Sequence, residues 1–460
     1  MWKGHGRAVR RTGDIEAALG QREPARTGRH IAGSAAAISK AVEFVTSMPT
    51  RSPVLAATSL ALGLACAVSA QSPVAAILTS ARARTGYLAH ARMWSDPGSQ
   101  SPDEIITGPT DVFPYSAADA LSGLDCTFVT PGQGLGGKSA KFVCATSEGR
   151  TLRVKYWDRE QARGNREVFA VVAATRLLWA LGFDALPALP MNLRCDRCPS
   201  NPMTGDGPRS SRTYVAEMSV YPPRGPWILS REDRDQGWSW RELDEAIKGL
   251  PQGPERTRQR THFDALTLLA VFMQHGDRKP EQQALYCAAP VDMAAGDRQI
   301  AKAVGLGAIL VERRDSPACS SPAVVIVDAG VTFGGAGRTS SGQTATMNLD
   351  EWRSKTVFKA DESAECHGRL TVSLAAGRHG DGDPEISEDG RRFLLEQLHR
   401  LTPAHVRAIF TAARVDLLPR STPAAASGTA TIAIDEWVAA FEDKVHQIEA
   451  RRCQPASSSP

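Results

Sequence analysis

The sequence predicts an α+β protein in which a region of short strands precedes a mainly helical region. From 125 to 157, segments rich in β-branched and aromatic residues alternate with glycine-containing turns, the pattern of adjacent strands. Residues 164–182 then place apolar side chains at helical spacing, and Gly182 follows as a C-cap. Helical patterns dominate the C-terminal third.

Each predicted element has its own signal. Three strands are expected at 126–130, 140–145 and 151–157, where apolar residues are bounded by turn residues. A long helix rich in Leu, Ala and Phe is expected at 257–275, and a short buried strand at 324–327. The last helices are expected at 387–400, 403–415 and 433–452, with Thr402 and Pro403 as N-cap and first residue of the second.

Charge is concentrated at the start of the 460-residue chain. The formal net charge is +4, but residues 1–47 hold eight Lys and Arg against four Asp and Glu. Without residues 1–70, the chain has 45 basic and 46 acidic side chains. A nearly neutral remainder has no global basic field, so nucleic acid is not an expected partner.

Residues 275–282 carry the strongest functional signal. They read His-Gly-Asp-Arg-Lys-Pro-Glu-Gln, which resembles the catalytic loop of protein kinases, usually His-Arg-Asp-Leu-Lys-Pro-Glu-Asn. The resemblance implies that Asp277 accepts the proton of an attacking hydroxyl and that Lys279 lies by the transferred phosphate. It also implies that Gln282 takes the place of the metal-binding Asn.

Other parts of the kinase pattern precede this loop in the expected order. A GxGxxG turn between two predicted strands can cover nucleotide phosphates, because its backbone lacks Cβ atoms. Lys155 follows on the third strand, where the resemblance implies contact with the α- and β-phosphates. Glu167, 12 residues later, opens the next helix and would pair with Lys155, with Glu160 as the alternative partner. The glycines of the turn are Gly132, Gly134 and Gly137.

Asp328-Ala329-Gly330 follows the buried strand and resembles the Asp-Phe-Gly element of kinases. Magnesium prefers one or two carboxylates with phosphate oxygens and water, so Asp328 and the amide oxygen of Gln282 make a suitable pair. The five elements together resemble the protein-kinase-like superfamily over residues 125–415. They imply a bilobal fold with a small β-rich N-lobe and a mainly helical C-lobe, using ATP and Mg²⁺ or Mn²⁺.

Three features depart from the usual kinase pattern. Gln282 stands for Asn, and Ala329 for the Phe that packs beneath the metal-binding loop. Asp277 and Asp328 are 51 residues apart, which implies an insertion near 288–322. No Ala-Pro-Glu ends the segment after Gly330. The resemblance is greater to diverged bacterial and secretory-pathway members than to ordinary Ser/Thr kinases.

An apolar run of 15 residues at 54–68 predicts export. Met48 and Arg51 precede it and small residues end at Ala70, the layout of a cleaved signal peptide at 48–70. A start assigned too far upstream would then account for 1–47. The alternative is a cytoplasmic tail followed by a signal anchor at 52–78. The protein is expected to be periplasmic or secreted or, with an anchor, membrane-bound and facing the periplasm.

Nine cysteines agree with an oxidising compartment. Cys66 lies in the apolar run, so cleavage leaves eight, an even number that favours disulfides. For the CxxC motif a disulfide is favoured over a zinc site, because no second CxxC or His pair lies at ligand spacing. Two pairs are considered, Cys287 with Cys319 and Cys126 with Cys144, and the partners of the other cysteines are left open.

These observations are compatible with three functions. The first function is an exported phosphotransferase that moves the ATP γ-phosphoryl group to a hydroxyl of a protein or envelope component. The second is a catalytically inactive pseudokinase that binds nucleotide or partners, and a third keeps the fold but transfers the nucleotidyl group.

The chain is expected to divide into five regions after the signal peptide. They are a lead-in at 71–124 with helix near 75–92, an N-lobe at 125–236, a C-lobe at 237–417, a linker at 418–431, and a terminal helix with a disordered tail at 432–460.

Overall fold

The computed structural model describes most of the chain after residue 73. Residues 1–73, and with them the predicted leader and signal peptide, lie outside the described part. The described ranges are 74–109, 112–130, 139–157, 165–219, 225–232, 237–288, 299–303, 309–312, 318–338, 344–360, 365–373, 376–380, 382–419 and 431–454.

Within these ranges the chain has mixed α and β structure. The strands are β1 (Val74–Thr79), β2 (Leu124–Val129), β3 (Lys141–Thr146), β4 (Thr151–Trp157), β5 (Ala188–Asn201), β6 (Asp206–Ser219), β7 (Trp227–Ser230), β8 (Gln283–Cys287), β9 (Gln299–Ala303), β10 (Ile309–Glu312), β11 (Pro322–Ile326), β12 (Cys366–His367) and β13 (Glu385–Ile386). The helices are α1 (Ala81–Ala89), α2 (Pro102–Thr107), α3 (Ala117–Ser122), α4 (Glu167–Ala180), α5 (Trp240–Lys248), α6 (Pro254–Met273), α7 (Leu349–Ser354), α8 (Glu388–His399), α9 (Pro403–Ala412) and α10 (Ile434–Ala450). Short 3-10 helices are Pro280–Gln282, Ala376–Arg378 and Val415–Leu417.

Five strands close into a barrel in the order β2-β3-β4-β6-β5. The predicted strands at 126–130, 140–145 and 151–157 are confirmed as β2, β3 and β4. The parallel pairing of β2 with β5 completes the closure. Aromatic rings fill the interior, with Phe142, Tyr156 and Tyr214 in mutual contact. The barrel therefore has its own apolar core, and alternate residues of its strands face outward.

A second sheet has six strands in the order β11-β8-β7-β1-β10-β9. Its inner strand β1 is parallel to β7 on one side and to β10 on the other. The prediction of helix near 75–92 is thus correct only for α1, since residues 74–79 form β1. A signal anchor extending to residue 78 would need the same residues that form this strand.

Strands β8 and β11 form an antiparallel pair that brings distant segments together. Gln283 lies opposite Ile326 at one end, and Cys287 lies opposite Pro322 at the other. A disulfide joins Cys287 to Cys319 near that second end. The long segment between the strands contributes β9 and β10 to the six-stranded sheet. The predicted insertion therefore starts and ends at the Cys287–Pro322 end of this strand pair, which is opposite the end that holds Gln283.

The helical region is built around α6 and α4. Both are buried along most of their length, and they share one apolar core with α5, α8, α9 and α10. The predicted helices at 164–182, 257–275, 387–400, 403–415 and 433–452 are confirmed as α4, α6, α8, α9 and α10. Thr402 caps α9 and Pro403 begins it, as the sequence predicts. In the described part of the chain, no helix combines the length and apolar character needed to cross a membrane.

Four disulfides are present among the described residues. Two match the pairs considered from sequence, Cys126–Cys144 and Cys287–Cys319. The CxxC cysteines are bonded to each other rather than available to zinc, which agrees with the preference for a disulfide at that motif. The fourth joins β12 to the residues after α10. The pairs are Cys126–Cys144, Cys195–Cys198, Cys287–Cys319 and Cys366–Cys453.

Candidate active site

Lys155 projects from the outer face of the barrel. Along β4, Leu152, Val154 and Tyr156 belong to the barrel core, so Lys155 points away from it. Its Nζ lies 2.8 Å from Asp328 Oδ2 and 3.4 Å from Glu167 Oε2. The pattern of β4 thus brings the predicted lysine together with both predicted carboxylates.

Electrostatics favour the charged forms of the Lys155–Asp328 pair. Burial alone disfavours the ammonium, but Asp328 and then Glu167 raise the pKa of Lys155 above its ordinary value. Burial likewise opposes ionisation of Asp328, whereas the Lys155 charge and hydrogen bond hold its pKa below the usual range. Both groups therefore remain charged near neutral pH.

Glu167 is held in place at the first residue of α4. Its backbone N–H donates to Asn165 Oδ1 at 3.2 Å, which satisfies one free donor of the helix start. The Ser139 hydroxyl donates to Glu167 Oε2 at 2.5 Å. The sequence analysis missed Ser139 and Asn165, although Asn side chains commonly accept a hydrogen bond from the backbone N–H two residues later.

Asp277 lies in a tightly packed loop after α6. Gln274 ends the helix in the left-handed conformation, with φ of 55°. Gly276 follows, and a Cβ there would be 2.5 Å from Thr371 O and 2.9 Å from Ala336 N. The Arg of the usual kinase loop has no room at this position.

The Asp277 carboxylate has one bonded and one unbonded oxygen. Oδ2 lies 3.2 Å from Lys279 Nζ and accepts the Gln282 amide N–H at 3.1 Å. Oδ1 is buried and has no hydrogen-bond partner. Burial raises the pKa of Asp277 above its ordinary value, although Lys279 opposes this effect. An unsatisfied buried carboxylate oxygen can accept a proton or a hydrogen bond from a ligand.

Backbone hydrogen bonds join the Asp277 loop to the Asp328 segment. The carbonyl of Gln282 accepts N–H groups from Val327 at 2.8 Å and Asp328 at 3.2 Å. Asp328 Oδ1 in turn accepts the N–H of Gly330 at 2.9 Å. The pairing of β8 with β11 therefore places the two aspartate-bearing loops side by side, despite the 51 residues between them.

His275, the first residue of the loop, is an uncharged internal group. It is 2% exposed, and neither ring nitrogen has a hydrogen-bond partner. Burial and then the nearby Arg278 charge lower its pKa to about 4. Its imidazole is accordingly neutral at physiological pH, and its backbone N–H extends the end of α6 by bonding to Ala270 O.

The glycine turn cannot be placed relative to these groups. Gly132, Gly134 and Gly137 lie in 131–138, outside the described residues. The same holds for Glu160, the alternative partner of Lys155. Among the predicted site residues that are described, Lys155, Glu167 and Asp328 form one contact group and Asp277, Lys279 and Gln282 form another.

The residues of the site suit a cation whose remaining ligands are phosphate oxygens. The described ranges contain no group of three or more His, Cys, Asp and Glu able to hold a metal unaided. Magnesium needs only one or two carboxylates when phosphate oxygens complete its shell. Asp328 could supply a carboxylate, and Gln282 could supply its amide oxygen because its nitrogen donates to Asp277.

Comparisons with known proteins give limited similarity. No family model matches the chain, and no curated protein matches it either. Among solved structures, the Helicobacter pylori proinflammatory kinase CtkA has 12% identity and a TM-score of 0.34, covering 72% of this chain and 95% of its own. A Golgi casein kinase has 11% identity and a TM-score of 0.23, covering 71% and 74%. Likenesses at these TM-scores do not assign a fold, so the site residues carry the functional proposal.

Proposed function

We propose that this protein is a kinase-like phosphotransferase that moves the γ-phosphoryl group of ATP to a hydroxyl acceptor. The observation that carries the proposal is the contact of Lys155 with both Asp328 and Glu167 beside the Asp277 loop. The charged Lys155 and Asp328 lie with Glu167 in one partly buried cluster. A purely structural cluster does not require Asp277 with an unbonded oxygen next to it. The bilobal kinase-like arrangement is part of this proposal.

In the proposed reaction, protein groups hold the phosphates and receive a proton. Lys155, which Asp328 and Glu167 keep charged, binds phosphate oxygens, and the glycine turn covers the phosphates. The acceptor hydroxyl lies against Asp277, which takes its proton as the oxygen–phosphorus bond forms. The bond from the γ-phosphorus to the β-phosphate oxygen breaks, leaving ADP. Lys279 offsets negative charge on the transferred group.

A divalent cation fits the proposal as a shared ligand of Asp328, Gln282 and the phosphates. When bound, such a cation supplies positive charge that neutralises phosphate oxygens. Mg²⁺ and Mn²⁺ both suit oxygen ligands. Asp328 would exchange part of its contact with Lys155 for the cation, which leaves Lys155 available to phosphate while Glu167 retains its contact.

A second candidate is a pseudokinase that binds nucleotide or partners without catalysis. The observation that favours it is that the Gln282 amide donates to Asp277, so the amide that would serve the cation is bonded within the loop. In either case we propose a periplasmic or secreted location, supported by four disulfides. The membrane-anchored form facing the periplasm is the alternative, and the acceptor is a protein or another envelope component.

Intact mass of the full chain before and after incubation with ATP and Mg²⁺ or Mn²⁺ tests the proposal. A second reaction contains a periplasmic extract and γ-labelled ATP, so that transfer to a separate acceptor is also detected. The phosphotransferase predicts label transfer by the parent and none by Asp277→Ala. Nucleotide binding without transfer in both reactions supports the pseudokinase, and a nucleotidyl mass gain supports the third function.

A further inference from the structure

Lys141 is a second lysine on the face of the barrel that carries Lys155. It is the first residue of β3, and its Cα lies directly opposite that of Lys155 in the antiparallel pairing with β4. Directly opposed residues project from the same face of a sheet, with Cβ atoms about 5 Å apart. Phe142, the next residue, faces the barrel core. The two lysines therefore leave the barrel side by side.

The surroundings of Lys141 are unusual for a lysine. It is only 8% exposed, and within the described residues it makes no hydrogen bond or ion pair. Burial, and then the charges of Arg153 and Lys155, lower its pKa below the ordinary value. Like charges directly opposite one another destabilise a strand pair, so this placement costs stability in the ligand-free protein.

The nearest carboxylates do not offset this cost by direct contact. Asp328 and Glu167 act on Lys141 only at longer range, while both bond to Lys155. On the side of Lys155 away from Lys141, the directly opposed residue is Glu217 of the neighbouring strand β6. Among the described residues, no carboxylate contacts Lys141, whereas two contact Lys155.

We propose that Lys141 binds nucleotide phosphate as a second cation beside Lys155. The inference rests on the proposed phosphotransferase function and adds a residue to its phosphate site. A triphosphate presents several anionic oxygens, and two adjacent ammonium groups can contact different ones.

Labelling with an acyl phosphate derivative of ATP tests the position of Lys141 without a mutation. Such a derivative transfers its acyl group to lysine amines that lie beside the bound phosphates. After digestion of the full-length protein, we expect the label on the peptides of Lys141 and Lys155, with both protected by excess ATP. Label on Lys155 alone would overturn the inference while leaving the phosphotransferase proposal intact.

Binding measurements with matched variants separate the two proposals. We expect Lys141→Met to weaken ATP and inorganic tripolyphosphate by about tenfold or more, the loss typical of a charged hydrogen bond, and to leave adenosine unchanged. Lys141→Arg should retain most of the affinity. Lys248→Met is the control, since Lys248 is an exposed lysine that pairs with Asp244 on α5 and has no part in the proposed site.

Each outcome of the binding experiment has a definite meaning. Equal ATP affinity in the parent and Lys141→Met overturns the role of Lys141 but not the phosphotransferase. Tripolyphosphate binding that depends on Lys141, without ATP binding, supports the phosphate site and overturns the use of ATP. A parent that binds neither probe overturns both. Thermal unfolding of each variant confirms that affinity is compared between folded proteins.

Discussion

Lys155 and Asp328 are 173 residues apart in the chain, yet Lys155 Nζ lies 2.8 Å from Asp328 Oδ2. Their side chains are 16% and 28% exposed, so the pair is shielded from water on most sides. Lys155 comes from the barrel and Asp328 from the end of β11. The contact therefore ties the barrel to the segment that leads away from the six-stranded sheet.

Substitution of Asp328 tests the contribution of this pair to the proposed phosphoryl transfer. We expect Asp328→Asn to lower phosphoryl transfer on the order of 100-fold, because it removes a charged ligand for the cation and weakens the hold on Lys155. Nucleotide affinity should also lose its dependence on Mg²⁺. Steady-state kinetics and calorimetric titration with and without Mg²⁺ measure the two effects.

A matched control for this substitution is Asp383→Asn. Asp383 is 45% exposed and pairs with Lys359 at 2.6 Å, so it provides an aspartate–lysine pair without proposed catalytic groups. It should retain parental activity. Unchanged magnesium-dependent binding in Asp328→Asn would show that the metal assignment is wrong.

Gly276 provides a test based on packing. We expect Gly276→Ala to destabilise the protein by about 1–3 kcal/mol, because the added methyl overlaps backbone atoms of Thr371 and Ala336. Gly276→Arg, which restores the usual kinase residue, should be worse than Ala and should not raise activity. Urea unfolding measures the stabilities, and Gly86→Ala is a matched control because a Cβ at Gly86 meets no atom within 4 Å.

The four disulfides should differ in their contribution to stability. In the chain-entropy model, the free energy gained rises with the length of the closed loop. Sequence separations of 87 for Cys366–Cys453 and 3 for Cys195–Cys198 then correspond to about 4.6 and about 2 kcal/mol. Paired Cys→Ser substitutions followed by urea unfolding should reproduce this order, and a greater loss from the CxxC pair would contradict it.

The burial of Asp264 predicts that the free energy of unfolding of the protein changes with pH. It is 2% exposed, and burial raises its pKa to about 6 from an ordinary 3.8, although Arg260 opposes this effect. The folded protein therefore keeps a proton that the unfolded chain releases between about pH 4 and pH 6. The stability due to this group is greatest below about pH 4 and falls as pH rises through about 6.

Asp264→Asn removes this titration. The free energy of unfolding of the parent should fall relative to that of the variant by at most about 3 kcal/mol between pH 4 and pH 7. Urea unfolding of both proteins at several pH values measures the difference. A difference that stays constant over this range would show that Asp264 is ionised in the folded state at pH 4.

The local patterns in the sequence predict most helices and the first barrel strands. Helices such as α6 and α9 have sustained apolar spacing with clear end signals, so their positions follow from nearby residues. The parallel pairing of β2 with β5 and the placement of β1 have no such local signal. A short apolar run is compatible with strand or helix, and only distant partners decide between them.

The sequence predicts the candidate site only in part, because some of its contacts depend on how distant segments pack together. The spacing of Lys155 and Glu167 indicates a pair, and the structure has that contact at 3.4 Å. The shorter contact with Asp328 was not predicted, since it depends on how two separate regions meet. Ser139 also escaped prediction because its contact with Glu167 requires the strand and helix to be placed first.

The position of β1 has a consequence for the order in which the fold can assemble. This strand leaves the ribosome early, but its neighbours β7 and β10 follow about 150 and about 235 residues later. At about 5–20 residues per second, tens of seconds of translation separate the strand from its second neighbour. The six-stranded sheet can be completed only after that, so the support of the Asp277 and Asp328 loops forms late, whereas the barrel, whose strands lie within residues 124–219, can form earlier.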